Sequence, residues 1–152
     1  MDTIHFGVID NRFLSRSVGL LNPPTPICLP LTATVKDGLT MLKEKPIGCI
    51  LLTDPGGKLG GIFTERDVVK KMVLSQVPPT AALSEYITKD PQTIEMTTPI
   101  AFVLQMMSEG GFRHVPIIDD GGFPVGIVSI KDIVDYVVRS IRQDLHPLGA
   151  QD

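Results

Sequence analysis

Tryptophan is absent from this chain of 152 residues, and there are only two tyrosines and two cysteines. So few large aromatics leave little to stack against nucleic-acid bases. Two thiols, Cys28 and Cys49, are too few for a disulfide framework, and a reduced pair in a cytoplasmic protein is the expectation. Positive charge is also scarce. Fourteen Lys and Arg against seventeen Asp and Glu give a net charge of −3, which is no footprint for nucleic acid. No apolar run approaches the ~18 residues of a membrane span. The opening MDTIHFGVID lacks the basic and then apolar regions of a secretory signal. His5, His114 and His146 are scattered without metal-ligand spacing. There is no P-loop and no nucleophile–base pair, so the sequence is not expected to be an enzyme.

What is present is an internal repeat, which decides the fold before any local feature does. An offset of 65 residues carries Pro26 onto Pro91, Thr32 onto Thr97, Leu39 onto Leu104, Met41 onto Met106 and Glu44 onto Glu109. It also carries Asp54-Pro55-Gly56-Gly57 onto Asp119-Asp120-Gly121-Gly122, Gly61-Ile62 onto Gly126-Ile127, and Asp67 onto Asp132. The repeats are placed at residues 18–75 and 83–142, after an N-terminal extension of residues 1–17.

Each repeat reads as β-α-β-β-α, an α/β (α+β) fold of two units packed with pseudo-two-fold symmetry. Short strands are predicted near Pro26–Leu29 and Pro91–Ile94. Val35, Leu39 and Leu42, and then Ile100, Val103, Leu104 and Met107, recur at helical spacing. Paired apolar runs follow at Cys49–Leu52 with Leu59–Phe63, and at Val115–Ile118 with Val125–Val128. Gly56-Gly57 and Gly121-Gly122 supply the positive φ of the hairpin turns between them. The closing helices show apolar faces at Val68, Val69, Met72 and Val73, and at Ile133, Val134, Val137, Val138 and Ile141. Neither half has enough core to stand alone. The width of the apolar helical faces points to a homodimer, with packing between the halves as the plainer alternative. Phe6, Val8 and Ile9 are expected to add a strand or pack on the neighbouring structure.

The last strand of each repeat meets its last helix at Thr64-Glu65-Arg66-Asp67 and Ser129-Ile130-Lys131-Asp132. A hydroxyl three residues before an acid is the pattern of a capping box. The same corner suits a nucleotide, because a helix start offers unpaired N–H donors to a phosphate and an Asp accepts ribose hydroxyl hydrogens. Arg66 or Lys131 adds a cation one residue away. The two readings agree on the hydroxyl and compete for the carboxylate. A second cluster, Gly111-Phe112-Arg113-His114-Val115-Pro116-Ile117-Ile118-Asp119, opens an apolar strand with two basic side chains. They are either a solvated strand end or partners for a phosphate.

Phe112-Arg113-His114-Val115-Pro116-Ile117-Ile118-Asp119 and the two Gly-apolar-apolar-[Ser/Thr]-x-x-Asp corners, repeated in order, resemble a tandem pair of CBS domains (named for cystathionine β-synthase), a Bateman module. The resemblance covers nearly everything after residue 18. It implies the CBS-pair fold, with two clefts that take AMP, ADP, ATP or a related adenosyl ligand, and modules that dimerise. By position it implies that Asp132 and Asp67 hold ribose hydroxyls, assisted by Ser129 and Thr64. Arg113, His114 and Lys131 would meet phosphate. Backbone groups of Val115, Pro116 and Ile117 would read the adenine edge beside Thr93.

The repeats differ where the resemblance matters. Arg113 and His114 correspond to Gly48 and Cys49, and Thr93 to Cys28. The first cleft therefore exchanges two cations for thiols, leaving Arg66 as its main cation, and the cleft at Asp132 is expected to be the better site. Both thiols read most simply as small hydrophobes. The function expected is a regulatory module that senses adenine nucleotides and acts on an unknown protein partner. A dimerisation scaffold without ligand is the alternative.

Overall fold

The computed structural model describes residues 11–145; His5, Phe6, Val8, Ile9 and His146 lie outside them. The chain forms two compact units, each assembled from separated pieces. Of the described residues, one unit comprises Thr25–Thr93 and Pro116–Ile127; the other comprises those up to Pro24, Ile94–Val115, and those from Val128 on.

The first unit is built on a four-stranded sheet. β1 (Cys28–Pro30) lies parallel to β2 (Cys49–Thr53), which is antiparallel to β3 (Leu59–Thr64), which is antiparallel to β4 (Thr88–Lys89). The parallel pair needs a crossover, and α2 (Val35–Glu44) supplies it. Thr34 and Asp37 close a full capping box at the start of α2. Cys49 to Leu52 are all buried, because β2 is covered on both faces and an uninterrupted apolar run is what such a strand requires. Ile50, Leu52 and Phe63 join the main core with Val35, Leu83 and Ile87, while Cys49, Leu51 and Ile62 face the other way and pack against Ile127.

The β2–β3 turn is held by Asp54. Its carbonyl accepts the Gly57 N–H at 2.9 Å, and its side chain accepts the Lys58 N–H at 2.9 Å. Only the second glycine of the turn takes a positive φ, 86° at Gly57. Asp119 does the same work in the hairpin of β5 (His114–Ile118) and β6 (Pro124–Ser129), where Gly122 has φ 84°.

The second unit is mainly helical: α1 (Asn11–Ser15), a 3-10 turn at Val18–Leu21, α4 (Ile100–Gly110) and α5 (Ile130–Leu145). Its buried side chains include Phe13, Val18, Ile100, Val103, Val115, Val128 and Ile133. Gly111, at φ 69°, ends α4 in the left-handed region, where glycine carries no Cβ penalty.

Hydrogen bonding shows why neither unit is one sequence repeat. Val35 N–H donates to the Ala81 carbonyl at 2.9 Å, and Leu83 N–H to the Ala33 carbonyl at 3.0 Å. The offset of 65 carries the helix-start side of this arrangement, Ala33 and Val35, onto Thr98 and Ile100 of the second unit. There Ile100 N–H donates to the Arg16 carbonyl at 2.9 Å and Val18 N–H to the Thr98 carbonyl at 2.8 Å. The bridges Thr34↔Ala82 and Ser17↔Pro99 complete the correspondence. Each repeat thus starts with a segment that closes the helix start of the other, and the repeats exchange their leading segments.

Three expectations are corrected. The first strand begins at Cys28 rather than Pro26. No strand forms over Pro91–Ile94. Asp90 takes a left-handed φ of 46° and Pro91 has no N–H to pair; an isolated bridge remains at Ile94, Thr93 lies outside any strand, and the preceding Thr88–Lys89 pairs antiparallel with β3. Finally, α3 (Glu65–Lys71) ends before Met72. Met72 is buried, yet Val69 and Val73 stay exposed, as do Val134, Val138 and Ile141 of α5. The apolar stripe of each closing helix is wider than the part its own unit buries.

Candidate functional site

The strand-to-helix corners have one backbone frame. At the start of α5, Ser129 N–H donates to Asp132 Oδ2 at 2.9 Å and Asp132 N–H donates to Ser129 Oγ at 3.1 Å. At the start of α3, Thr64 N–H donates to Asp67 Oδ2 at 2.9 Å and Asp67 N–H to Thr64 Oγ1 at 3.3 Å. Both corners are therefore capping boxes. The first N–H of each helix reaches back to the strand entry: Ile130 to the Arg113 carbonyl at 3.0 Å, Glu65 to the Gly48 carbonyl at 3.2 Å. Those acceptors are equivalent positions. The fold places Arg113 beside Ser129 and Asp132 by a backbone bond, and places a glycine at the matching point of the other corner.

Capping decides less than the competition between readings suggested, because an ionised carboxylate has about four lone-pair sites. What separates the corners is the second carboxylate oxygen. Asp67 Oδ2 accepts the Thr64 N–H and also the Thr64 hydroxyl at 3.1 Å, and Oδ1 pairs with Lys71 Nζ at 2.9 Å. The Asp67 side chain is only 10% exposed. Lys71 Nζ donates as well to the Tyr86 carbonyl at 3.1 Å, so it is anchored twice. Asp132 is half-buried, and among the described residues its Oδ1 has no partner. Tyr136 occupies the position of Lys71 and stacks on Phe13, with ring centroids 5.5 Å apart. Lys71 and Tyr136 are the positions that distinguish the two corners and that motif reading missed. The signal was there: an acid followed four residues later by a lysine is a favourable helical pair, and only one repeat has it.

The other predicted residues are placed as follows. Lys131 is exposed and pairs with Asp135 Oδ2 at 2.6 Å. That hydrogen bond, and then the Asp135 charge, hold the Lys131 ammonium above its ordinary value. Arg113 is exposed and His114 half-buried at the entry to β5; Val115, Pro116 and Ile117 are buried. Val115 belongs with Arg113, Ser129, Lys131 and Asp132 in one unit. Thr64, Arg66, Asp67, Thr93, Pro116 and Ile117 belong to the other. Cys28 and Cys49 lie on the adjacent strands β1 and β2 and form no disulfide, the first exposed and the second buried. Partial desolvation pushes the Cys28 thiol above its ordinary value although the residue is exposed overall, the opposite direction from that of an activated thiolate. Among the described residues, no cluster of three or more His, Cys, Asp or Glu could hold a metal ion, and no helix is long and apolar enough to cross a membrane.

The family model described as CBS domain matches residues 21–74 and 83–139. The chain is 31% identical over 122 residues to the CBS domain-containing protein CBSX3, mitochondrial, of Arabidopsis thaliana, covering 77% of this chain and 59% of the relative. It spans about three fifths of the length of that relative and of two further ones from Acidianus ambivalens and Methanopyrus kandleri. Among solved structures, the CBS domain pair of protein MJ0100 in complex with 5′-methylthioadenosine and S-adenosyl-L-methionine is 26% identical, with a TM-score of 0.71 over 79% of this chain and 98% of that one. The CBS domain protein PAE2072 from Pyrobaculum aerophilum, complexed with AMP, is 23% identical with a TM-score of 0.73 over 84% and 98%, a likeness of fold.

Proposed function

The chain belongs to the CBS domain family, and from that membership we propose that it is a regulatory module, without catalysis of its own, that binds an adenine nucleotide or related adenosyl ligand at the Ser129–Asp132 corner. The observation that carries this reading is the Asp132 carboxylate. One oxygen is fixed by the cap and the other has no partner among the described residues, at the start of a sixteen-residue helix. In the proposed complex Asp132 accepts the ribose hydroxyls and Ser129 assists. Arg113, together with Lys131 once it leaves Asp135, meets phosphate. The exposed Lys131–Asp135 pair costs little to open, since such pairs contribute roughly 0–1 kcal/mol. The MJ0100 pair with its two adenosyl ligands supports an adenosine moiety as the common element. Regulation follows if the ligand binds two arrangements of the protein unequally.

Thermal shift against AMP, ADP, ATP, NAD and S-adenosylmethionine tests the proposal. A ligand at one hundred times its dissociation constant stabilises by about 2.7 kcal/mol, and Asp132→Ala removes that gain. No shift with any of the five, in a folded protein, refutes it.

A second reading, dimerisation without ligand, draws on α5, where Val134, Val138 and Ile141 are 51%, 41% and 43% exposed in one stripe. A homodimer covering that stripe is compatible with nucleotide binding and belongs to the same proposal. Light scattering on Val138→Glu tests it: the dimer is expected to dissociate, and a monomeric wild type refutes it.

A further inference from the structure

The two corners share a cap, a backbone frame and an aspartate, yet they treat the aspartate differently. In α3 the residue four positions on is Lys71, whose ammonium lies 2.9 Å from Asp67 Oδ1 and is held in place by the Tyr86 carbonyl. In α5 it is Tyr136, which lies against Phe13 and leaves Asp132 Oδ1 without a partner among the described residues. A ribose diol binds a carboxylate by giving it two hydroxyl hydrogens. At Asp67 it meets one oxygen bonded twice within the cap and the other neutralised by a built-in cation.

We infer that Lys71 is an internal counter-ion that closes the first corner, and that the residue four positions after the corner aspartate determines whether a repeat accepts a nucleoside; the chain therefore binds one adenosyl ligand, at Asp132. The inference rests on the nucleotide-binding reading above and adds stoichiometry and a specificity-determining position to it. The ammonium substitutes for the diol as hydrogen-bond donor. It is covalently tethered, so its effective concentration at the carboxylate is far above that of a free ligand. Asp67 is shielded, with its side chain 10% exposed, while Lys71 at 38% still meets solvent, so the tether and the second anchor at Tyr86 carry the effect rather than burial of the pair.

The mechanism is transferable, which makes it testable without disturbing the first corner. Tyr136→Lys places a lysine four residues after Asp132 on a regular helix, the spacing that brings Lys71 to Asp67. Tyr136→Met removes the same ring and adds no charge, so it controls for loss of the Phe13 stack. Calorimetric titration uses AMP, S-adenosylmethionine and 5′-methylthioadenosine, the last carrying the diol and no phosphate. Wild type is expected to take one equivalent per chain. Tyr136→Met stays within about twofold of wild type, and Tyr136→Lys weakens binding about tenfold or more, the loss of one hydrogen bond to a charged group. The loss appears for 5′-methylthioadenosine as well as AMP. Two equivalents per chain in wild type, or equal affinities for Tyr136→Lys and Tyr136→Met, overturn the inference and leave the binding proposal standing. Failure of wild type to take any of the three ligands overturns the binding proposal itself, and this inference with it.

Discussion

Leu83 lies at the start of the second sequence repeat, yet its side chain is fully buried in the core of the first unit with Val35, Ile50 and Phe63. Truncating it tests the exchange of leading segments directly. Leu→Ala at a buried site costs about 2–5 kcal/mol, depending on how far the surroundings collapse into the space left. Collapse here is limited. The nearest wall is Gly38 of α2, where a Cβ would stand 2.8 Å from Leu83 Cδ2, so no side chain on that wall can swing inward. The backbone bond from Leu83 N–H to the Ala33 carbonyl survives the substitution and keeps the segment docked around the cavity. Leu83→Ala is therefore expected in the middle of the range, about 3 kcal/mol, or about 6–12 °C in Tm for a chain of this size. Urea unfolding is the assay, read as a lower midpoint with unchanged slope. Hydrogen exchange then locates the damage. Amides of α2 lose protection while those of α4, in the second repeat, keep theirs. A cost below about 1 kcal/mol, or loss of protection confined to α4, refutes the exchange.

Three further outcomes are expected. Gly38→Ala gains about 1 kcal/mol of helix propensity but drives its Cβ into Leu83, so it destabilises the wild type and stabilises Leu83→Ala; additive urea midpoints in the double mutant refute the contact. The Thr34 backbone N–H and then its side chain hold the Asp37 carboxyl below the ordinary carboxylate value. Its cap thus stabilises fully above that ordinary value and fades as pH falls through the lower folded one. Asp37→Asn should flatten the acid limb of stability against pH, and an unchanged limb refutes this. Iodoacetamide should alkylate exposed Cys28 ahead of buried Cys49, at a rate still rising above pH 9.0, the ordinary value that burial raises. Intact-mass kinetics check it, and a plateau below pH 9.0 contradicts it.

Much of this was legible because the repeat reports twice on every element. The hairpin turns, the capping acids and the fully buried run of β2 each follow from local chemistry that recurs at one offset. Pro91–Ile94 misled because a strand was carried over from Pro26–Leu29 by alignment, while Pro91 offers no N–H after the left-handed Asp90, and an isolated bridge at Ile94 stands where the strand was expected. The exposed Val69 and Val138 agree with helical faces wider than one unit buries; periodicity says which residues share a face and not how much of that face a neighbour covers. The exchange of Arg16–Val18 and Ala81–Leu83 was invisible. Backbone hydrogen bonds between separated segments leave no pattern in side-chain identity.

That exchange also explains why position four after the corner aspartate carries so much. In each unit this residue is where the closing helix meets the incoming segment. Lys71 donates to the Tyr86 carbonyl, at the end of the segment that begins at Ala81. Tyr136 stacks on Phe13 of α1, just before the segment that begins at Arg16. Both solve the same docking problem. A lysine does it through its ammonium, which can bond a carbonyl and the nearby aspartate at once, so docking and closing the corner come together. An aromatic ring does it by stacking, worth about 0.5–1.5 kcal/mol beyond area burial, and asks nothing of the aspartate. The side chain that anchors the exchanged segment thereby fixes how much hydrogen-bonding capacity the corner has left for a ligand, and two corners with one frame acquire different chemistry through a residue outside the motif.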